Sequence, residues 1–111
     1  MAKQKPLLPT LRERKRYLSF EVLSEKPVAK LDVARALENA GHTLLGDLGM
    51  AAAGVWFIDE KWNAETQQGM LRVSAAELDK MKAVLTLVQR IRDQDVSIRS
   101  LFASGMIGKA G

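Results

Sequence analysis

The chain lacks cysteine altogether, and it has one histidine, three prolines and aromatics at only 5% of its 111 residues. Without cysteine it has no disulfide, no thiol nucleophile and no thiolate metal site, which fits a reducing cytoplasm, the expected location. A lone histidine without thiolates does not make a zinc site of the usual kind. His42 would also need a positioned partner to act as a general base, so it reads as a structural or surface residue of a helix. No stretch approaches the ~18 consecutive apolar residues of a membrane span. The lysines near the N-terminus have no apolar run behind them, so neither a membrane segment nor a secretory signal is expected.

What is present is the composition of an ordinary globular protein, 47% hydrophobic and 27% charged. The length suits one domain around one core. The net charge of +4 hides an uneven distribution. Residues 1–16 carry Lys3, Lys5, Arg12, Arg14, Lys15 and Arg16 against Glu13 alone, residues 17–79 hold five basic and ten acidic side chains, and residues 80–111 hold six basic and two acidic. Blocks of this kind suggest one surface for a polyanion and another for a protein. The plain alternative is a solvated basic arm that serves solubility.

Pro6 and Pro9 punctuate the opening residues, which read as an arm over 1–15, followed by a domain over 16–103 and a tail over 104–111 without periodicity. From Arg16 to Leu23 the residues alternate, Leu18, Phe20 and Val22 against Tyr17, Ser19 and Glu21, the pattern of a strand with one buried face. Apolar residues then recur at helical spacing at Val33, Ala34, Leu37, Gly41, Leu44, Leu45 and Leu48. They predict a helix from Lys30 to about Leu45 that stops near Gly46 or Gly49, with a poor N-cap. Val55-Trp56-Phe57-Ile58 and Thr66 to Val73 predict two strands joined by a polar hairpin loop. Ser74-Ala75-Ala76-Glu77 has the form of a capping box, opening a helix with Leu78, Met81, Leu85, Val88 and Ile91 on one stripe. A last strand places Val96 and Ile98 inward and Ser97 and Arg99 outward. The order βαββαβ, with right-handed crossovers, predicts a two-layer α/β sandwich. Both helices lie on one side of a four-stranded antiparallel sheet, ferredoxin-like or RRM-like, with its first and third strands central.

That fold hosts many functions, so the chemistry must come from particular residues. Asp59 and Glu60 sit together on a loop and could hold Mg²⁺, but they read more simply as a solvated turn. Gly46-Asp47-Leu48-Gly49 matches the G-x-x-G of a KH loop, yet it carries an acid where such loops carry positive charge, and it reads as a helix stop. An RRM stacks bases on aromatics of its central strands. Here Gln68-Gly69-Met70-Leu71-Arg72-Val73 has the glycine but no aromatic, which leaves Tyr17 as the one aromatic expected on the open face, beside Arg72, Arg99, Ser19 and Glu21. That is too few stacking platforms for sequence-tolerant single-strand binding to be expected on the sheet. One reading of that face is an arginine paired with Glu21 across strands and nothing more. The other is a face covered by a protein or a folded RNA. An acyl-phosphate hydrolase on this fold would need a phosphate-cradling loop after the first strand, and Ser24-Glu25-Lys26-Pro27 has neither the glycines nor the charge.

Three segments, in order along the chain, resemble archaeal ribonuclease P protein component 2, a relative of a small eukaryotic RNase P/MRP subunit. They are Leu8-Pro9-Thr10-Leu11-Arg12-Glu13-Arg14-Lys15-Arg16-Tyr17, Thr66-Gln67-Gln68-Gly69-Met70-Leu71-Arg72, and Ile98-Arg99-Ser100-Leu101 with Ser104-Gly105-Met106-Ile107. The ending Lys109-Ala110-Gly111 is less basic than that family's. The resemblance implies an RRM-like protein bound to the RNase P RNA and paired with the TIM-barrel-like protein subunit. Precursor tRNA would be met indirectly, and self-association is left open. It also implies that the RNA carries the active site and the Mg²⁺, so that this chain needs no cofactor and supports removal of the 5′ leader by stabilising the RNA. The residues expected to contact RNA are Arg12, Arg14, Lys15 and Arg16, then Tyr17, Arg72 and Arg99. The rival reading is a ferredoxin-like protein-interaction module with no RNA role.

Overall fold

The alternation around Phe20 becomes a ten-residue strand, β1 (Lys15–Ser24), in a computed structural model that describes residues 14–105. Arg12, most of the expected arm and most of the expected tail lie outside the described residues. After β1 come α1 (Lys30–Ala53), β2 (Trp56–Phe57), a 3₁₀ turn (Asp59–Lys61), β3 (Gln68–Ser74), a second 3₁₀ turn (Ala75–Glu77), α2 (Leu78–Leu87), β4 (Arg90–Ile91) and β5 (Gln94–Ser104).

These strands form one antiparallel sheet in the order β2-β3-β1-β5-β4. The expected sheet of four strands is thus corrected to five, although the first and third strands are interior as anticipated. The extra strand arises where the apolar spacing of the second helix continues in sequence beyond the helix itself. Helix α2 ends at Leu87, Val88 turns extended, and Ile91 is buried on β4 instead of on the helix. A two-residue turn, Arg92-Asp93, then returns the chain into β5, with Arg92 at a left-handed φ of 56°.

Two further expectations change at the helix ends. Helix α1 begins at Lys30 behind Ala29, which makes no side-chain cap, and it breaks at Gly46, where φ is 74° and ψ 174°. That backbone favours glycine. The helix nevertheless resumes and runs to Ala53, closing at Gly54, whose N–H donates to the Met50 carbonyl at 3.2 Å. Because the axis breaks, Leu44 and Leu48 leave the expected buried stripe. Both are exposed, Leu48 at 88%, while Met50 packs back against Gly41. The predicted capping box does not form either: Ser74 makes no side-chain cap bond. Ser74 still belongs to β3, opposite Lys15, and the N–H of Ala75 is taken by the carbonyl of Arg14 at 2.7 Å.

Both helices pack on the same side of the sheet. Leu18, Phe20 and Val22 of β1, Leu71 and Val73 of β3, and Val96 and Ile98 of β5 share one core with Val33 and Leu37 of α1 and Met81, Val84 and Leu85 of α2. The link from β1 to α1 is held by two glutamines. Gln67 accepts from the Val28 N–H at 3.0 Å and donates to the Val28 carbonyl at 3.1 Å, and Gln94 does the same for Lys26 at 3.1 and 3.0 Å. Such two-point bonds satisfy loop backbone groups that would otherwise be left to water.

Gly69 lies opposite Phe20, and a Cβ there would stand 2.7 Å from the Phe20 ring and 3.0 Å from that of Trp62. The same rings reach Phe57, with centroids 6.1 Å (Phe20) and 6.4 Å (Trp62) away, so an aromatic group fills the space a side chain would need. Gly69→Val should therefore destabilise the fold by about 1–3 kcal/mol through overpacking. Urea denaturation at neutral pH measures this. An unchanged midpoint would show that the rings yield freely.

Candidate nucleic-acid interface

The basic segment is rooted at one end of the sheet. Arg14 is exposed, and its carbonyl is tied to Ala75. Lys15 lies opposite Ser74, and Arg16 lies opposite Val73. The Arg16 guanidinium donates to the Lys15 carbonyl at 3.1 Å and reaches Gly105 beyond the end of β5. The Lys15 ammonium approaches Gly54, at the C-terminus of α1, where the helix dipole favours a cation. Three basic residues thus converge where β1 begins and where β3, β5 and α1 end.

The next row of the open face crosses four strands. Trp56 of β2 lies opposite Arg72 of β3, Arg72 opposite Tyr17 of β1, and Tyr17 opposite Ser104 of β5. Trp56 is 63% exposed, and Tyr17 and Arg72 are half-buried. Arg72 is singular among the described residues: its buried Nε has no hydrogen-bond partner. One row further on, Ser19 stands between Met70 and Phe102, with Tyr17 packed on a small cluster of Ile58 and Met70.

The open face therefore carries Trp56 and Phe102 besides Tyr17, which corrects the expectation of one aromatic. Phe102 reaches that side through an irregularity in the β1–β5 pairing. Phe20 pairs with Ser100 and Ser19 with Phe102, so Leu101 is the unmatched residue. An extra residue in one strand reverses the side on which the following residues fall. Unbroken alternation from Ile98 would have turned Phe102 to the core.

Arg99 stands apart from this cluster. Its Nε donates to Glu21 Oε1 at 2.9 Å, with Nη2 2.7 Å from the same oxygen, across directly paired strand positions. The structure thus brings Arg14, Lys15, Arg16, Tyr17 and Arg72 together at one end of the sheet and leaves Arg99 two rows beyond Tyr17 in an ion pair. The other candidates are peripheral. His42 is exposed, with Nδ1 2.7 Å from Asp47 Oδ1 across the helix break, and Asp59 and Glu60 lie exposed on the first 3₁₀ turn. No group of three His, Asp or Glu residues able to hold a metal occurs among the described residues. The Arg92 guanidinium, bonded to Asp32 at 2.7 Å, holds that carboxyl below the ordinary carboxylate range, and the pair ties the β4–β5 turn to α1 on the helical side. None of the described helices is long and apolar enough to cross a membrane.

The model of the Rpp14/Pop5 family matches residues 16–111, from the first residues of β1 through the tail. The chain belongs to the Rpp14/Pop5 family. Ribonuclease P protein component 2 of Thermococcus kodakarensis is 37% identical over 105 residues, covering 95% of this chain and 86% of that protein. Its counterpart in Pyrococcus furiosus is 39% identical over 103 residues, covering 93% and 84%. The resemblance carried by the three sequence segments is thereby borne out. A chain in the cryo-EM structure of yeast ribonuclease MRP has the same fold, with a TM-score of 0.64 over 85% of this chain and 76% of that one, at 13% identity.

In this Rpp14/Pop5 chain the Glu21–Arg99 pair tests which arginines are committed to the sheet. A double-mutant cycle with Glu21→Gln and Arg99→Gln should return a coupling of about 0.5–1 kcal/mol, the upper end for a cross-strand surface pair. Urea denaturation of the four proteins measures it. A coupling of zero would leave Arg99 free for another partner.

Proposed function

We propose that this chain is an RNA-binding subunit of a ribonuclease P. It stabilises the catalytic RNA and thereby supports removal of the 5′ leader from precursor tRNA, without carrying the chemistry itself. The observation that carries the reading is the convergence of Arg14, Lys15 and Arg16 at one end of the sheet, in a chain whose relatives are RNase P protein components. Guanidinium groups bind phosphate oxygens bidentately, and such contacts position a protein on RNA without reading its sequence. The Mg²⁺ of the reaction belongs to the RNA in this reading. The helical side offers the surface for a TIM-barrel-like protein subunit: Leu31, Leu44, Leu48 and Leu87 are exposed there, the first three within the stretch that holds the acidic block. Arg12, outside the described residues, joins the basic group in sequence.

Reconstitution of a ribonuclease P RNA with its protein subunits, with and without this chain, tests the reading directly. Precursor-tRNA cleavage should rise when the chain is added, and the chain with Mg²⁺ but no RNA subunit should cleave nothing. No effect on cleavage at any Mg²⁺ concentration would overturn the proposal. The basic segment should also account for part of the salt dependence of binding. Each phosphate neutralised contributes a slope of roughly 0.7–0.9 in log affinity against log salt. Replacing Arg12, Arg14, Lys15 and Arg16 with alanine should flatten that slope by roughly two to four units, since each lost contact removes one such increment. A folded variant with an unchanged slope would make the segment a bystander.

A further inference from the structure

The geometry points to a second, chemically distinct element of the same surface: the row Trp56–Arg72–Tyr17 holds an unpaired RNA segment, stacking a base on the Trp56 indole and placing its phosphate over Arg72. The inference rests on the RNA-binding reading and goes beyond it, because it names unstacked nucleotides, not a duplex backbone, as what the open face takes. The indole is 63% exposed on a two-residue edge strand, in one row with Arg72 and Tyr17, so its ring is open to stacking beside a cation. Neighbouring strands lie about 4.8 Å apart, so Trp56 and Tyr17 are separated by roughly 10 Å with the arginine midway. That arrangement suits a base on a ring and an adjoining phosphate on the guanidinium between the rings.

Charge favours RNA over an apolar protein partner. On the described strands the acidic residues are Glu21 and Asp95, and both are paired, with Arg99 and Arg90. Arg72 has no acid opposite it. Its strand neighbours in the row are Tyr17 and Trp56, and its Nε is buried without a hydrogen-bond partner. No carboxylate compensates the charge of the half-buried guanidinium, so an anion arriving at that row meets an unopposed cation. Duplex RNA presents no free base face to the indole, whereas single-stranded segments do.

The full chain with Trp62→Phe reports Trp56 alone, since the protein has two tryptophans. Unstructured dodecamers of uridine and of adenosine should quench this emission, while a duplex of equal length should bind through the basic segment without quenching. Trp56→Leu should weaken dodecamer binding roughly 5- to 100-fold, the range for loss of one stacking ring, and Trp56→Phe should restore most of it. Arg72→Gln should lower the salt slope by about one, as loss of a single phosphate contact does. Absence of dodecamer binding, binding without quenching, or an unchanged affinity in folded Trp56→Leu would each overturn the inference. So would quenching by the TIM-barrel-like protein subunit but not by RNA, which would make the face a protein contact. If the reconstituted enzyme depends on this chain yet tolerates Trp56→Leu fully, the stacking site fails alone. If cleavage ignores the chain altogether, it is the functional reading that fails.

Discussion

Everything in this structure depends on β1 being hydrogen-bonded on both sides. It pairs with β3 from Lys15 to Glu21 and with β5 from Tyr17 to Ser24, so its register sets the faces of both neighbours. A slip of one residue would turn Leu18, Phe20 and Val22 to the open face and drive Tyr17, Ser19 and Glu21 into the core, which burial forbids. Phe20 fixes the register further, because its ring fills the space beside Gly69. The same strand thereby fixes where the basic residues end up. Arg14 and Lys15 directly precede the alternating run, Arg16 opens it, and all three fall at the sheet's end because the hydrophobic pattern begins at Leu18.

That chain of causes made β1 legible from its residues. Period-two alternation over several positions has one sensible structural solution, and both faces of β1 are occupied as expected, with Val96, Ile98, Ser97 and Arg99 of β5 likewise. The helices were legible in their starting turns, where the apolar spacing is regular: Val33, Leu37 and Gly41 of α1 and Met81 and Leu85 of α2 are buried. The halt at Gly46 was visible as a glycine. Its resumption was not, because a left-handed residue between helical segments has the same local sequence as a helix end.

What stayed hidden has one physical character: it depends on pairing partners distant in sequence. Val55-Trp56-Phe57-Ile58 is apolar throughout and shows no period, so nothing in it says that Phe57 joins Phe20 in the core while Trp56 faces out. Only the pairing with Leu71 and Arg72 decides that. Leu101 reads as an ordinary strand residue, yet being unmatched opposite β1 it moves Phe102 to the open face. Ile91 fits the α2 stripe by spacing, but it is claimed by a hairpin with Gln94. The aromatic content of the open face is therefore a property of register, set by pairing and not by the local sequence.

The ion pairs sort the arginines by what they remain able to do. Arg90, Arg92 and Arg99 each face a carboxylate at hydrogen-bond distance, in Asp95, Asp32 and Glu21. Exposed pairs of this kind contribute only ~0–1 kcal/mol to folding, so their larger consequence is to cancel positive charge locally. Four residues of strand, about 13 Å at 3.3 Å each, separate the Arg99 row from that of Tyr17. This exceeds the Debye length of about 8 Å at physiological salt, so even an unpaired Arg99 would add little to the potential at the basic end. Arg72 is one row from Lys15 and faces no acid, so its charge adds to that of the basic segment over a short, weakly screened distance. The row that carries Trp56 and Tyr17 therefore keeps an uncompensated positive charge beside the basic end, whereas the Arg99 row does not.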